Sequence, residues 1–473
     1  MLKTIIEKEI RDLVGSTKFA ITFGACAFLI IASFYAGAAR YNLYRSQLEA
    51  SKAANTRQIA TNTDWNAVGE AVAFLPPHPL ATLVSGVSND IGHAASVRGR
   101  GQPEFDVSRY GEDPIYAVFQ FLDLEFLFKV ILSLFAILLG YDAVSGEKEQ
   151  GTLRLSFSNA VPRHRYLLGK MAGGASVMGV SLLIALALGA LSLPLMGVPM
   201  AGNDWLRLAL IVITGFLYFG VFLTLSVMVS ALTHRSSGSF MVMLVIWIAC
   251  VLIIPRASVL LAGRSVEVPS VDEISSQKAQ YASQLRDEYI DGLGQMSISM
   301  SGPEDDPIKK LNTYMDSLTN IRETKMDEFS GRLDEQRTNR QVQQSSLALG
   351  LARISPTASL TTAISNLAGT SLALKDDFYA EARSFSNSFG EFKREKTGFN
   401  SGAGMRMITI RHGGESEPEP ERIDPGEMPE FKYTSPDLST VLAASATDIG
   451  VLAVFNLLFF AGAFVAFSRY DVR

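Results

Sequence analysis

Only two of the 473 residues are cysteine, Cys26 and Cys250, and each sits inside an apolar run. Disulfide frameworks occupy water-exposed, oxidised segments, so none is implied, and both read as small buried apolar residues. Histidine is scarce too. His78, His93, His164, His234 and His412 never stand three or four apart, which removes the usual spacing of a metal site. Basic charge is not in excess: the formal net charge is -5, against the positive face that a nucleic-acid partner needs. A phosphate cradle is missing as well. "LLGKMAGGAS" contains Gly169-Lys170, but Met171 follows where a hydroxyl is required, and no glycine stands five before Gly169. No Ser/His/Asp or Cys/His pattern stands out. The expectation is a chain with no catalytic residue, no cofactor site and no metal ligand set of its own.

What the chain has is apolar runs alternating with polar ones, at a mean hydropathy of +0.20. A spanning helix takes about 20 mostly apolar residues. Six segments qualify: 19–38, 121–140, 172–195, 206–231, 239–261 and 447–467. In the second, Asp123, Glu125 and Lys129 crowd the start, and Glu125 and Lys129 have the i,i+4 spacing of a pair at the interface. The first is preceded by a long amphipathic lead, residues 1–18, and is itself long enough to span, so a retained helix is expected rather than a cleaved signal peptide.

Lysine and arginine set the orientation. With the N-terminus inside, Lys3, Lys8, Arg11, Lys18, Lys148, Arg154, Arg163, Arg165, Lys170, Arg235, Arg469 and Arg473 fall on the inner side. Arg40, Arg45, Arg256 and Arg264 oppose this, but "PLMGVPMAGNDW", between the third and fourth spans, carries no base. The expected fold is therefore an all-α polytopic membrane protein of six transmembrane helices, N-in and C-in. A mostly helical extracytoplasmic domain, with a helical hairpin and minor β structure, completes it.

Two segments fall outside, 39–120 and 262–446. The first reads as loop-rich near the membrane, from "AFLPPHPLATLVSGVSNDIG". In the second, helical periodicity runs from Val271 to about Leu293 and from Pro307 to about Leu351. Ile308, Leu311, Met315, Leu318, Met326, Phe329 and Leu333 form one stripe, expected to be hairpin core. "LARISPTASLTTAISNLAGTSLAL" reads as a helix returning to the membrane surface, started by Pro356. "MRMITIRHG" alternates like a strand, and "ESEPEPERIDPGEMPE" is an acidic, proline-rich linker. No solenoid-type repeat is present.

Between the second and third spans lies a polar island, residues 141–171, with a short tail at 468–473 on the same side. "AVSGEKEQGTLRLSFS" suits a short helix across the membrane surface, broken at Gly151, with Leu153, Leu155 and Phe157 toward lipid or neighbouring helices. Pro162 then ends it. Glu147 and Glu149 flank Lys148, a trio that reads as a solvated helix end rather than an acid–base pair. A short rigid piece between two spans is a lever that moves both together.

"YDAVSGEKEQGTLRLSFSNAVPRHRYLLGK" resembles the signature loop of ABC-2 type permeases, in the branch with an enlarged extracytoplasmic region often labelled multicopper-enzyme maturation or gliding-type. The matching positions are Asp142, Ser145, Gly146, Glu147, Lys148, Glu149, Gly151, Thr152, Leu153, Arg163, Gly169 and Lys170. The lead "IIEKEIRDLVGSTKF" is similar to that family's N-terminal amphipathic helix at Glu9 and Arg11. "PPHPLATLVSGVSNDIG", "ISPTASLTTAISNLAGT" and "FSRYDVR" also look like this branch.

The resemblance implies the transmembrane subunit of an ABC transporter in the inner (cytoplasmic) membrane, multi-pass, with its large domain outside. Two copies, or this chain and a related one, would form the pathway. Separate ABC-type ATPase subunits, carrying ATP and Mg, would dock on the loop around Glu147 to Leu153. The outer domains depart from the minimal fold. They keep two alternatives in play: a sensor or scaffold binding an extracytoplasmic partner protein, and a membrane enzyme.

Overall fold

The computed structural model describes residues 2–88, 90–99, 103–105, 123–153, 157, 162–299, 307–397 and 422–469. Among these, six helices are long and apolar enough to cross a membrane. The chain is an all-α polytopic membrane protein with a small β element. The expected strand in "MRMITIRHG" lies outside the described residues.

An amphipathic helix, α1 (Leu2–Val14), leads into α2 (Thr17–Ala60) through a break at Gly15, where Ser16 caps α2 by accepting the Phe19 N–H at 3.2 Å. At 1.5 Å per residue α2 is about 66 Å long, roughly twice a bilayer's hydrocarbon core. Residues 39–60 therefore continue the first span as helix, where a loop-rich start to the outer segment was expected. The physical reason is local. No glycine or proline interrupts Ala39 to Val68, and Arg45 pairs with Glu49 one turn on at 3.1 Å.

The second span, α3 (Leu124–Gly140), contains a π turn at Leu127–Leu132, and a short helix, α4 (Ser145–Gln150), follows it. Then come α5 (Arg163–Leu195), α6 (Gly202–Leu232) and α7 (Ser236–Ser265), the last with a π turn at Ala249–Ile253. α12 (Leu438–Ser468) closes the set. The post of the bundle is α6, which packs on α3, α12 and α10 (Pro356–Ala368).

A hairpin of α8 (Val271–Ser299) and α9 (Pro307–Ala352) projects from the end of α7. Lys278–Asp334 at 2.8 Å, Lys325–Glu288 at 2.7 Å and the stacked Tyr281–Phe329 rings at 4.1 Å fix its antiparallel register. On the expected stripe, Leu318 packs against Gly292 of the facing helix. Beyond the end of the bundle, residues from both long inter-span segments share one core, the outer body, named for lying outside the bundle. Strands β1 (Ala71–Phe74), β2 (Ala94–Val97) and β3 (Glu104–Phe105) pair antiparallel in that order. Helix α11 (Ala373–Thr397) covers them with Phe378, Phe385 and Phe389.

Helix α10 differs from its expectation. It starts at Pro356, with Ser355 as cap, but it is wedged inside the bundle rather than lying on its surface; Leu360, Ala363, Ile364, Leu367 and Ala368 are fully buried. Two of its hydroxyls find partners on other spans, while the buried Ser359 Oγ has none among the described residues. The Tyr218 hydroxyl sits 3.0 Å from Thr357 Oγ1, and Thr361 donates to Glu125 at 2.7 Å. Carbonyls at the π turns take side-chain hydroxyls as partners, and in lipid an unmet carbonyl costs several kcal/mol. Lys129 O accepts from Ser133 and Tyr218 at 2.6 and 3.1 Å, and Cys250 O accepts from Ser355. Glu125 and Lys129 approach to 4.0 Å, as their spacing predicts.

Candidate functional site

The polar island folds at the end of the bundle where α1 begins and α12 ends. Five residues of α1, Ile5, Ile6, Glu9, Ile10 and Leu13, are half-buried, while Lys3, Glu7, Lys8, Arg11 and Asp12 are exposed, so the helix lies with one stripe on α5. Gly173 makes that approach possible: a Cβ there would lie 2.7 Å from the Glu9 Cβ. Tyr166, near the start of α5, stacks on Phe467 at the end of α12, with centroids 5.5 Å apart and planes 9° apart.

Helix α4 is one and a half turns long and stops at Gly151, whose φ of 72° is the left-handed conformation that glycine adopts without a Cβ penalty. At its start, Ser230 of α6 accepts the N–H groups of Val144 and Ser145 at 3.0 and 2.9 Å. These are donors that a helix N-terminus leaves unmet.

The three charged residues then diverge. Glu147 pairs with Lys170 of α5 at 2.9 Å and accepts a hydrogen bond from the Tyr166 hydroxyl. Lys148 donates to Thr233 O at 3.0 Å and to Ala231 O, at the C-terminus of α6, where the helix dipole favours a cation. Glu149 accepts the Ser236 N–H at 3.1 Å, at the N-terminus of α7, where the dipole favours an anion. Lys170 also lies 3.9 Å from Glu9, so one ammonium faces carboxylates from two other elements. Burial raises the Glu9 pKa above its ordinary value; Lys170 opposes this, and Glu147 reinforces it.

The solvated-helix-end reading of the trio is therefore corrected for Glu147 and Lys148. Both turn inward because buried helix ends and an ammonium supply their partners. Among the positions named from sequence, Glu9, Glu147 and Lys170 form one charged cluster, and Ser145, Lys148 and Glu149 bond separately to α6 and α7. Gly146 packs beside Asp142 and Ser236. Leu153 is 2% exposed, in an apolar cluster with Tyr166, Leu167 and Phe467. Asp142, Gly151 and Thr152 are exposed on the outer side of the turn, with Glu149 and Gln150. Arg11 is exposed and lies outside the charged cluster. Arg163 opens α5, but its side chain, like all of Leu155, lies outside the described residues.

Sequence reasoning missed Tyr166, Ser230 and Ser236 as partners. Tyr166 stood within the quoted loop. The two serines carry no local signal, since only the folded register brings them opposite α4. Among the described residues, no group of three or more His, Cys, Asp or Glu side chains is placed to hold a metal ion.

Residues 3–472 match the family described as ABC-2 family transporter protein. The chain belongs to the ABC-2 transporter family. A stretch of 125 residues is 31% identical to the probable ABC transporter permease protein NosY of Stutzerimonas stutzeri. That stretch covers 26% of this ABC-2 chain and 45% of the relative, so the chain spans a little under half the length of the curated relative it matches.

Proposed function

We propose that this chain is the permease subunit of an ABC transporter, an exporter in the cytoplasmic membrane driven by separate ATPase subunits. The island is where the ATPase docks, N- and C-termini are cytoplasmic, and the outer body and hairpin are extracytoplasmic. Two permease copies, or this chain and a related one, enclose the pathway along a seam of α2, α3 and α7. The observation that carries this reading is the branching of the α4 turn. Three consecutive residues bond to α5, α6 and α7, and α1 is tied in through Lys170, while Asp142 and the Glu149–Thr152 edge stay exposed. A push on that edge moves four helices at once, which is the requirement for passing force from a soluble motor to a membrane pathway.

The test is site-directed crosslinking. Thr152→Cys, labelled with an impermeant maleimide, should react from the cytosolic side alone, and should crosslink to the ATPase expressed with it. Labelling from the opposite side would end the proposal.

A second reading is ATP-driven mechanical transmission to an extracytoplasmic partner. It is favoured by the base of the hairpin, where Arg353 grips the fully buried Asp448 of α12 through two hydrogen bonds, at 2.7 and 3.0 Å. Spin labels on α9 and α11 would separate the two readings. A distance that changes with ATP turnover in the absence of transported cargo supports transmission.

A further inference from the structure

At the opposite end of the bundle from the island, the outer body meets α2 and α6 around a cavity of about 50 Å³. Its walls are mostly apolar, with Leu75, Pro77, Leu374 and Tyr433 among them. Three nitrogen-bearing side chains join that wall: Arg207 from α6, His78 after β1 and His93 before β2. Arg207 is only 4% exposed. Its Nη2 donates to Pro436 O, but Nε and Nη1 have no hydrogen-bond partner, and neither do His78 Nδ1 and His93 Nε2.

Burial lowers the pKa of both histidines. For His78 the facing Asp204, 3.8 Å from Nε2, works against that shift and Arg207 works with it. Both rings are then neutral at pH 7, and the guanidinium is the fixed charge on the wall. The Asp204 carboxylate is engaged elsewhere as well, accepting the Ala201 N–H at 2.9 Å.

A buried cation with unmet donors is costly to the fold, and an anion seated against it removes that cost. We propose that this cavity binds a small organic monocarboxylate, with the carboxylate on Arg207 and a short apolar body against Leu75, Pro77 and Tyr433. One fixed positive charge matches one carboxylate rather than a doubly charged phosphate. Apolar walls suit an alkyl chain. A water-sized occupant takes about 10–15 Å³, so the cavity holds on the order of four heavy atoms. Access is at hand, because Gly369, Leu374, Tyr433 and Pro436 also line a wider open groove of about 660 Å³. The site is independent of ATPase coupling at the island.

The experiment uses the full chain in lipid nanodiscs, titrated with ¹³C-labelled acetate and propionate and read by saturation-transfer NMR. Saturable binding is expected. It should weaken at least tenfold in Arg207→Met, and also in Ala81→Leu, which fills the cavity and keeps the guanidinium. Arg207→Met also loses the Pro436 bond, so Ala81→Leu decides if that variant does not fold. Propionate should raise the thermal midpoint of the wild-type chain, and methylammonium should not. The proposal is overturned by absence of saturable binding to the wild type, where waters alone fill the cavity. Binding unchanged in the folded variants overturns it too, as does inorganic phosphate competing as strongly as propionate.

Discussion

Replacing Lys170 with methionine keeps the length and apolar stem of the side chain and deletes its charge. Glu147 at 2.9 Å and Glu9 at 3.9 Å then face each other without a cation. At an effective dielectric near 20, the lost Lys170–Glu9 attraction at 3.9 Å, the one that depends on docking of α1, amounts to several kcal/mol. Water recovers part of this, because the side chains of Lys170, Glu147 and Glu9 are 10%, 18% and 21% exposed. The net cost is about 2–3 kcal/mol, at and below the lower limit for a fully buried pair that loses one partner, because these groups are partly exposed. Since 1.4 kcal/mol is a factor of ten, the equilibrium that docks α1 on α5 should shift by roughly 30- to 150-fold. Amide hydrogen exchange over Leu2–Val14 reads that shift directly, as lost protection confined to α1. The double variant Glu147→Gln/Lys170→Met should recover at least half of the protection, because no lone charge faces the other carboxylate. A change below about threefold in Lys170→Met would refute the account of Lys170 as the tie between α1 and the island.

Three further outcomes follow from the same geometry. Gly151→Ala should cost about 1 kcal/mol for a left-handed residue with open space around its Cβ, and, if the proposed coupling holds, Gly151→Pro, whose ring forbids that φ, should abolish ATPase stimulation in a complex with the ATPase. Asp448→Asn should destabilise the chain by about 3 kcal/mol, read as a lower thermal midpoint, with the Arg353→Met/Asp448→Leu pair milder than either single change. The raised pKa of Glu9 means that the folded chain holds this proton more tightly than the unfolded one. Its contribution is then fully present below the unfolded value and is lost as pH rises through the folded value. Docking of α1 should therefore weaken from mildly acid toward neutral pH, and Glu9→Gln should flatten that profile in hydrogen exchange.

The spans were legible because twenty apolar residues leave few alternatives, and the hairpin because its period is regular over many turns. The end of α2 was not, since the fall in hydropathy at Arg40 marks the end of apolar composition, while the helix itself runs on through good helix formers. Helix α10 was misplaced for a related reason. Its serines and threonines read as too polar for burial, and the groups that meet three of these hydroxyls, Cys250 O for Ser355, the Tyr218 hydroxyl for Thr357 and the Glu125 carboxylate for Thr361, belong to other spans. At the island, composition identified the right turn but not the direction of each charge. Glu147 and Lys148 read as solvated because their partners lie 23 and 85 residues further along the chain, at Lys170 and Thr233.

Helix α9 has 46 residues, close to 69 Å of rigid rod at the helical rise. A pivot of about 5° where Arg353 meets Asp448 would swing the far end by about 6 Å, so a rearrangement too small to open a gap between packed spans becomes a displacement larger than a side chain at the tip. On the transmission reading, the hairpin would then be a pointer, turning small strokes near the bilayer into travel that a distant neighbour could feel.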